Sequence, residues 1–161
     1  MGWSSPRCVV GVPALTLLAI LLCDAGPVLA QAKKSDSVVK VEAKVDKPDA
    51  DGKQTITITL DIDTLWHIYA NPVENEDLTN AQTVVSIGPK DKVSDVKIEY
   101  PQSKLQKDND ITFKIYEGKV TIKAQVKRAK GDASPLEVTI KLQACNDKTC
   151  LFPATIKKEV Q

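Results

Sequence analysis

The chain has 161 residues but one histidine, His67, and one methionine, Met1, which would not outlast removal of a leader. The usual imidazole, thiolate and thioether sets that hold zinc or copper therefore cannot be assembled, and no resident metal or organic cofactor is expected. Seven glycines lie scattered through turns rather than in a phosphate-cradling loop. Basic and acidic residues nearly cancel, at 22 and 21, and are interspersed. That balance gives no electrostatic reason to expect nucleic acid or an anionic membrane surface as partner. Nucleophilic catalysis of the Ser-His-Asp or Cys-His kind would need His67 as base, and nothing beside it in sequence marks it as one. A lone histidine next to a strand end reads as a surface or half-buried residue. Helical periodicity over three turns, internal repeats and low-complexity tracts are also missing.

One apolar run exists, at the start. Arg7 supplies a positive charge, residues 8–23 are apolar, and Val28, Leu29 and Ala30 precede Gln31. The pattern predicts a signal peptide over residues 1–30, cut before Gln31. The run is too short for a spanning helix and is interrupted by Pro13, so no stable membrane insertion is expected after cleavage. Leu22 is not the small residue a lipoprotein signal needs before Cys23. The exported chain would keep Cys145 and Cys150 alone among four cysteines.

Residues 31–37 read as a flexible lead and 38–161 as one domain. Val39, Val41, Ala43 and Val45 alternate with polar residues, as do Ile56, Ile58, Leu60 and Ile62 with Thr55, Thr57, Thr59 and Asp61. Period two with β-branched residues on the apolar side is a strand signature. Residues 48–53 carry turn chemistry between those two runs. Further strands are expected over 83–87, 93–100, 111–116, 119–127, 136–142 and 152–160. Roughly eight short strands separated by Gly-, Pro- and Asp-rich breaks predict an all-β, immunoglobulin-like two-sheet antiparallel sandwich.

The cysteines lie five positions apart. Five extended residues span about 17 Å, so residues 146–149 must fold back tightly if the sulfurs are to join. Asn146 and Asp147 suit such a turn. A ring this small adds only about 2 kcal/mol by loop entropy. It is a weak staple. It also leaves both sulfurs in one loop, where a foreign thiolate can attack one and the other can resolve the product. Composition leaves the structural and the redox readings both open.

The segment Gln143-Ala-Cys-Asn-Asp-Lys-Thr-Cys-Leu-Phe-Pro153 resembles the cysteine loop of the N-terminal, periplasmic domain of the thiol:disulfide interchange protein DsbD. Leu65-Trp-His-Ile-Tyr-Ala70, Tyr100-Pro101, Ile115-Tyr116 and the run from Lys119 to Val126 match the family in the same order, across most of the chain. The resemblance implies an immunoglobulin-like domain, periplasmic or otherwise exported, with possible protein-disulfide reductase activity. Its cysteine pair exchanges electrons with thioredoxin-like proteins through transient mixed disulfides. It also implies that Cys150 forms the mixed disulfide, that Cys145 resolves it, and that Tyr69 packs beside the pair. Asp147 and Lys148 fall between the cysteines, and Lys148 offers a local positive charge or is simply a solvated turn lysine. Trp66 reads as core.

Two features depart from the family pattern. One residue fewer separates the cysteines. The stretch 107–111 (Lys, Asp, Asn, Asp, Ile) is acidic, where the family carries an aromatic and glycine cap over its disulfide. The alternative from another class is a non-catalytic immunoglobulin-like binding module whose disulfide only pins a loop.

Overall fold

A computed structural model describes residues 33–161; the expected signal peptide over residues 1–30, with Gln31 and Ala32, lies outside the described residues. Among the described residues eleven antiparallel strands form a sandwich: β1 (Val39–Val45), β2 (Lys53–Ile62), β3 (His67–Tyr69), β4 (Val84–Gly88), β5 (Ser94–Glu99), β6 (Lys104–Asp108), β7 (Ile111–Glu117), β8 (Lys119–Lys127), β9 (Leu136–Leu142), β10 (Ala144–Cys145) and β11 (Ala154–Val160). They hydrogen-bond into three ladders, ordered β1-β2-β8-β5, β10-β3-β7-β6 and β11-β9-β4. The all-β sandwich is as expected. The strand count is not: β3, β6 and β10 had no sequence expectation, and all three belong to the ladder that carries the cysteines.

Alternation builds the core. Ile56, Ile58, Leu60 and Ile62 of β2 are buried, as are Ile122, Ala124 and Val126 of β8 and Leu136, Val138, Ile140 and Leu142 of β9. With Val39, Val41, Ile68, Tyr116 and Ala144 they form one contiguous cluster. Burying such branched side chains stabilises by about 1.5–3 kcal/mol each. Trp66 packs against this cluster from its edge and is only partly buried. The β1–β2 turn closes as its residues require: Asp49 Oδ1 accepts from the amides of Asp51 and Lys53, at 2.9 and 2.8 Å. Gly52 there takes φ +78°, and its carbonyl accepts from Arg128 N–H at 2.9 Å.

Of the expected lead over residues 31–37, residues 33–37 are described and hydrogen-bond to the domain. A 3-10 turn over Ser35–Ser37 leaves Ser35 fully buried. Ser35 Oγ donates to the Phe152 carbonyl at 2.8 Å and accepts from Ala144 N–H at 2.9 Å. One hydroxyl thus joins both arms of the cysteine loop to the start of the domain, and a polar composition concealed that.

The β10-β3-β7-β6 ladder has two apolar faces. Ile68, Ala70, Tyr116 and Ala144 join the main core. Tyr69, Val73, Phe113, Ile115 and Cys145 form a second, smaller cluster on the opposite face, with Leu78 and Ala81 of the 3-10 segment Glu76–Ala81 packed on it. That outer face holds the cysteine pair.

Candidate functional site

Cys145 and Cys150 are joined, with Cα atoms 4.0 Å apart. They are closer than the roughly 5.5 Å common among disulfides because they oppose each other as an isolated antiparallel bridge. The flanking bonds, Leu151 N–H to the Ala144 carbonyl and Asn146 N–H to the Thr149 carbonyl, are both 2.9 Å. Cys145 and Cys150 are therefore a non-hydrogen-bonded cross-strand pair, the kind whose side chains approach most closely.

The local sequence explains the hairpin. Asn146 Oδ1 accepts from the amides of Lys148 and Thr149, both at 2.9 Å, so one side chain satisfies the turn. Gln143 Nε2 donates to the Leu151 carbonyl at 3.1 Å, tying the arms together below the cysteines. Ala144, between Gln143 and Cys145, is fully buried in the main core. A larger side chain there would have to displace that packing.

The two sulfurs occupy different surroundings. Cys145 is 2% exposed, within the cluster of Tyr69, Phe113 and Ile115. Cys150 is exposed. The Tyr69 hydroxyl lies 3.5 Å from Cys145 Sγ and 3.9 Å from Cys150 Sγ. Disulfide sulfurs carry no proton, so the hydroxyl is the donor to both. Burial pushes the phenol pKa above its ordinary value, and the Asp108 carboxylate adds to the shift. The ring rests against Phe113, 5.6 Å between centroids. Its backbone is clamped, since the Tyr69 carbonyl accepts from Thr83 Oγ1 at 2.6 Å and Thr83 N–H at 3.0 Å. Thr83 is itself fully buried.

Asp147 and Lys148 are exposed at the hairpin tip. The Lys148 ammonium makes no hydrogen bond or ion pair among the described residues. Its backbone amide is what the turn uses. Residues 107–111 form the β6–β7 hairpin, with Asn109 at φ +50°. From it Asp108 lies near enough to raise the Tyr69 pKa. The aromatic that shelters Cys145 is Phe113 of β7, two residues beyond that stretch.

One residue gains a place that its sequence context did not suggest. His67 pairs directly with Cys145 across β3 and β10, and with Glu117 across β3 and β7. Its ring meets that of Tyr69 edge-on at 6.2 Å. Burial lowers its pKa; Glu117 and Asp147 oppose that shift without overcoming it. The one usable sequence signal was parity: His67 and Tyr69 are two apart, so any strand that aims Tyr69 at the cysteines aims His67 there too.

The family described as "Thiol:disulfide interchange protein DsbD, N-terminal" matches residues 34–161. Among solved structures, the N-terminal periplasmic domain of ScsB from Proteus mirabilis superposes with a TM-score of 0.53 at 18% identity, covering 74% of this chain and 44% of that one. The reduced N-terminal domain of DsbD from Neisseria meningitidis gives a TM-score of 0.47 at 13% identity, over 78% of this chain and 86% of that one. No curated protein matches the chain. The chain spans less than half of the ScsB structure, and at 18% identity the likeness to it is one of fold. The match over residues 34–161 is wider: the chain belongs to the family of DsbD N-terminal domains.

Proposed function

We propose that this protein is an exported thiol:disulfide exchange domain that passes electron pairs between thioredoxin-fold proteins through Cys145 and Cys150. The observation that carries the reading is the asymmetry of the bridge, with Cys150 exposed at a hairpin end and Cys145 buried beneath it. Exchange needs one sulfur that a foreign thiol can reach and a second held in place to close or release the first.

In the reducing direction for this chain, a partner thiolate attacks Cys150 Sγ in line with the bridge. A new sulfur–sulfur bond forms, the Cys145–Cys150 bond breaks, and its electron pair leaves on Cys145. The Tyr69 hydroxyl, 3.5 Å away, donates to the thiolate that develops there. A hydrogen bond to a charged acceptor contributes about 1.5–3 kcal/mol. The second partner thiol then frees Cys150, and the chain carries two thiols to the next protein. Lys148 and Asp147 lie exposed beside Cys150, on the surface that a partner would meet.

The test is a trap. A Cys145→Ala variant, reacted with an oxidised thioredoxin-fold domain, should accumulate a mixed disulfide through Cys150 that dithiothreitol reverses; Cys150→Ala should not. A redox titration adds an independent reading. A midpoint well below about −300 mV, with no trapped adduct, would mark the bridge as a loop staple.

A further inference from the structure

His67 stands directly opposite Cys145 in the β3–β10 ladder, and it is the chain's single histidine. Opposed residues of an antiparallel pair project to one face with Cβ atoms about 4.5–5.5 Å apart. Rotation about χ1 therefore brings an imidazole nitrogen to the sulfur once the bridge is open. We propose that His67 is the proton carrier of Cys145, taking the thiol proton as Cys145 resolves a mixed disulfide on Cys150 and returning it when the bridge is reopened. The proposal rests on the exchange reading above.

Burial creates the need for a carrier. Cys145 is 2% exposed among apolar and aromatic side chains, which disfavours its thiolate, the only form that attacks a disulfide. Bulk water and buffer have little access to that proton. Tyr69, the other polar group near the sulfur, has its pKa pushed up by burial and by Asp108, so it is a hydrogen-bond donor and not a base. His67 has the opposite tendency. Its pKa is lowered by burial, so the neutral, accepting imidazole prevails near neutral pH.

The charged groups that bear on the ring are Glu117, opposite it on β7, and Asp147, at the hairpin tip. Glu117 is also held by Lys104 of β6 at 2.6 Å. The two carboxylates favour the imidazolium that forms after proton transfer, while burial favours its return to the neutral state. A carrier must be able to do both.

The step balances as follows. The Cys145 proton moves to an imidazole nitrogen and the resulting thiolate bonds to Cys150 Sγ. The bond between Cys150 and the partner sulfur breaks, and its electron pair leaves on that sulfur. Cys145 is oxidised and the partner sulfur reduced, and the imidazolium gives up its proton to the released thiolate or to solvent.

The probe is 5,5′-dithiobis(2-nitrobenzoate), an aromatic disulfide whose released thiolate is coloured. The full chain, with Cys8→Ser and Cys23→Ser so that no other thiol reports, is reduced and mixed with it. Attack by Cys150 gives a first release whose rate scales with reagent concentration; displacement by Cys145 gives a second that does not. We expect His67→Gln to slow the second release at pH 7 by about tenfold or more, at the lower edge of general-base contributions. The first should stay within about twofold. In the unsubstituted site the second-phase pH profile should show an inflection below pH 6.5, which needs no variant to fold.

A second phase that keeps its rate and profile in His67→Gln, yet vanishes in Cys145→Ala, would overturn the role of His67 and leave the exchange reading standing. Equal slowing of both phases would also overturn it, as a merely structural loss. Failure of the exchange reading looks different: no second phase would appear even with His67 in place.

Discussion

If the Cys145–Cys150 bridge is a working pair and not part of the framework, reducing it must leave the sandwich folded. Its contribution can be bounded from geometry. The ring closed by a separation of five residues removes little entropy from the unfolded chain, about 2 kcal/mol at 25 °C. The native hairpin has supports besides the bridge, since the Asn146, Gln143 and Ser35 hydrogen bonds involve neither sulfur. The main core contains neither cysteine. For a domain of about 130 residues, an unfolding entropy near 2.1 cal/mol/K per residue converts 2 kcal/mol into a fall in Tm of about 7 °C. Thermal unfolding of the Cys8→Ser, Cys23→Ser chain by circular dichroism, with and without excess dithiothreitol, measures it. The same energy must reappear as a potential, because the two reductions and two unfoldings close a cycle. The folded bridge should titrate about 40 mV more negative than the bridge in the denatured chain. A fall of more than about 15 °C, or loss of the β-sheet signal on reduction, would refute the reasoning and make the disulfide part of the fold's support.

Tyr69→Phe removes the hydroxyl that donates to the two sulfurs while keeping the ring on Phe113. It should change stability by less than about 1 kcal/mol and slow reduction by dithiothreitol about tenfold, read by stopped-flow, since a hydrogen bond to the leaving thiolate is lost. Gly52→Ala should destabilise by at least about 2 kcal/mol in urea unfolding, because φ is +78° and the new Cβ would sit 2.5 Å from the Arg128 carbonyl oxygen. For His67, burial sets the folded pKa below the unfolded value near 6.5. The unfolded chain then binds more protons in the window between the two. The neutral ring's contribution is thus complete above pH 6.5 and is lost as pH falls through that window, and chemical denaturation of His67→Gln at pH 5 to 7.5 should show that slope removed.

The strands legible in the sequence are those long enough to alternate. β2 spans ten residues and β8 nine, and their apolar sides read directly as buried sides. β3 and β10 have three and two residues, too few for any period to show, and β6 reads Lys-Leu-Gln-Lys-Asp with one apolar residue, itself exposed. These short pieces are strands because neighbours already in place supply their hydrogen bonds, a tertiary cause that local pattern does not contain. The lead is hidden in the same way: what holds 34–37 is the Ser35 hydroxyl and backbone amide, bonded to backbone groups more than 100 residues away.

The site follows the same division. Cys145, Cys150, Asn146 and the turn between them are local in sequence, so spacing and turn chemistry sufficed to place them together. Tyr69 required the family resemblance, because the 76 residues separating it from Cys145 leave no spacing rule to apply. His67 shows what neither route supplies. Its neighbours in sequence are Ile68, within the main core, and Trp66, packed against that core, and they describe nothing of the outer face. Only the register, Cys145 against His67 and Ala144 against Ile68, sets this polar residue opposite the buried cysteine. A slip of one residue would send His67 into the core and Ile68 toward the sulfur. Register is therefore a determinant of what the site can do: Ala144 and Ile68, by filling the main core, hold the opposing pair on the face where we place the exchange.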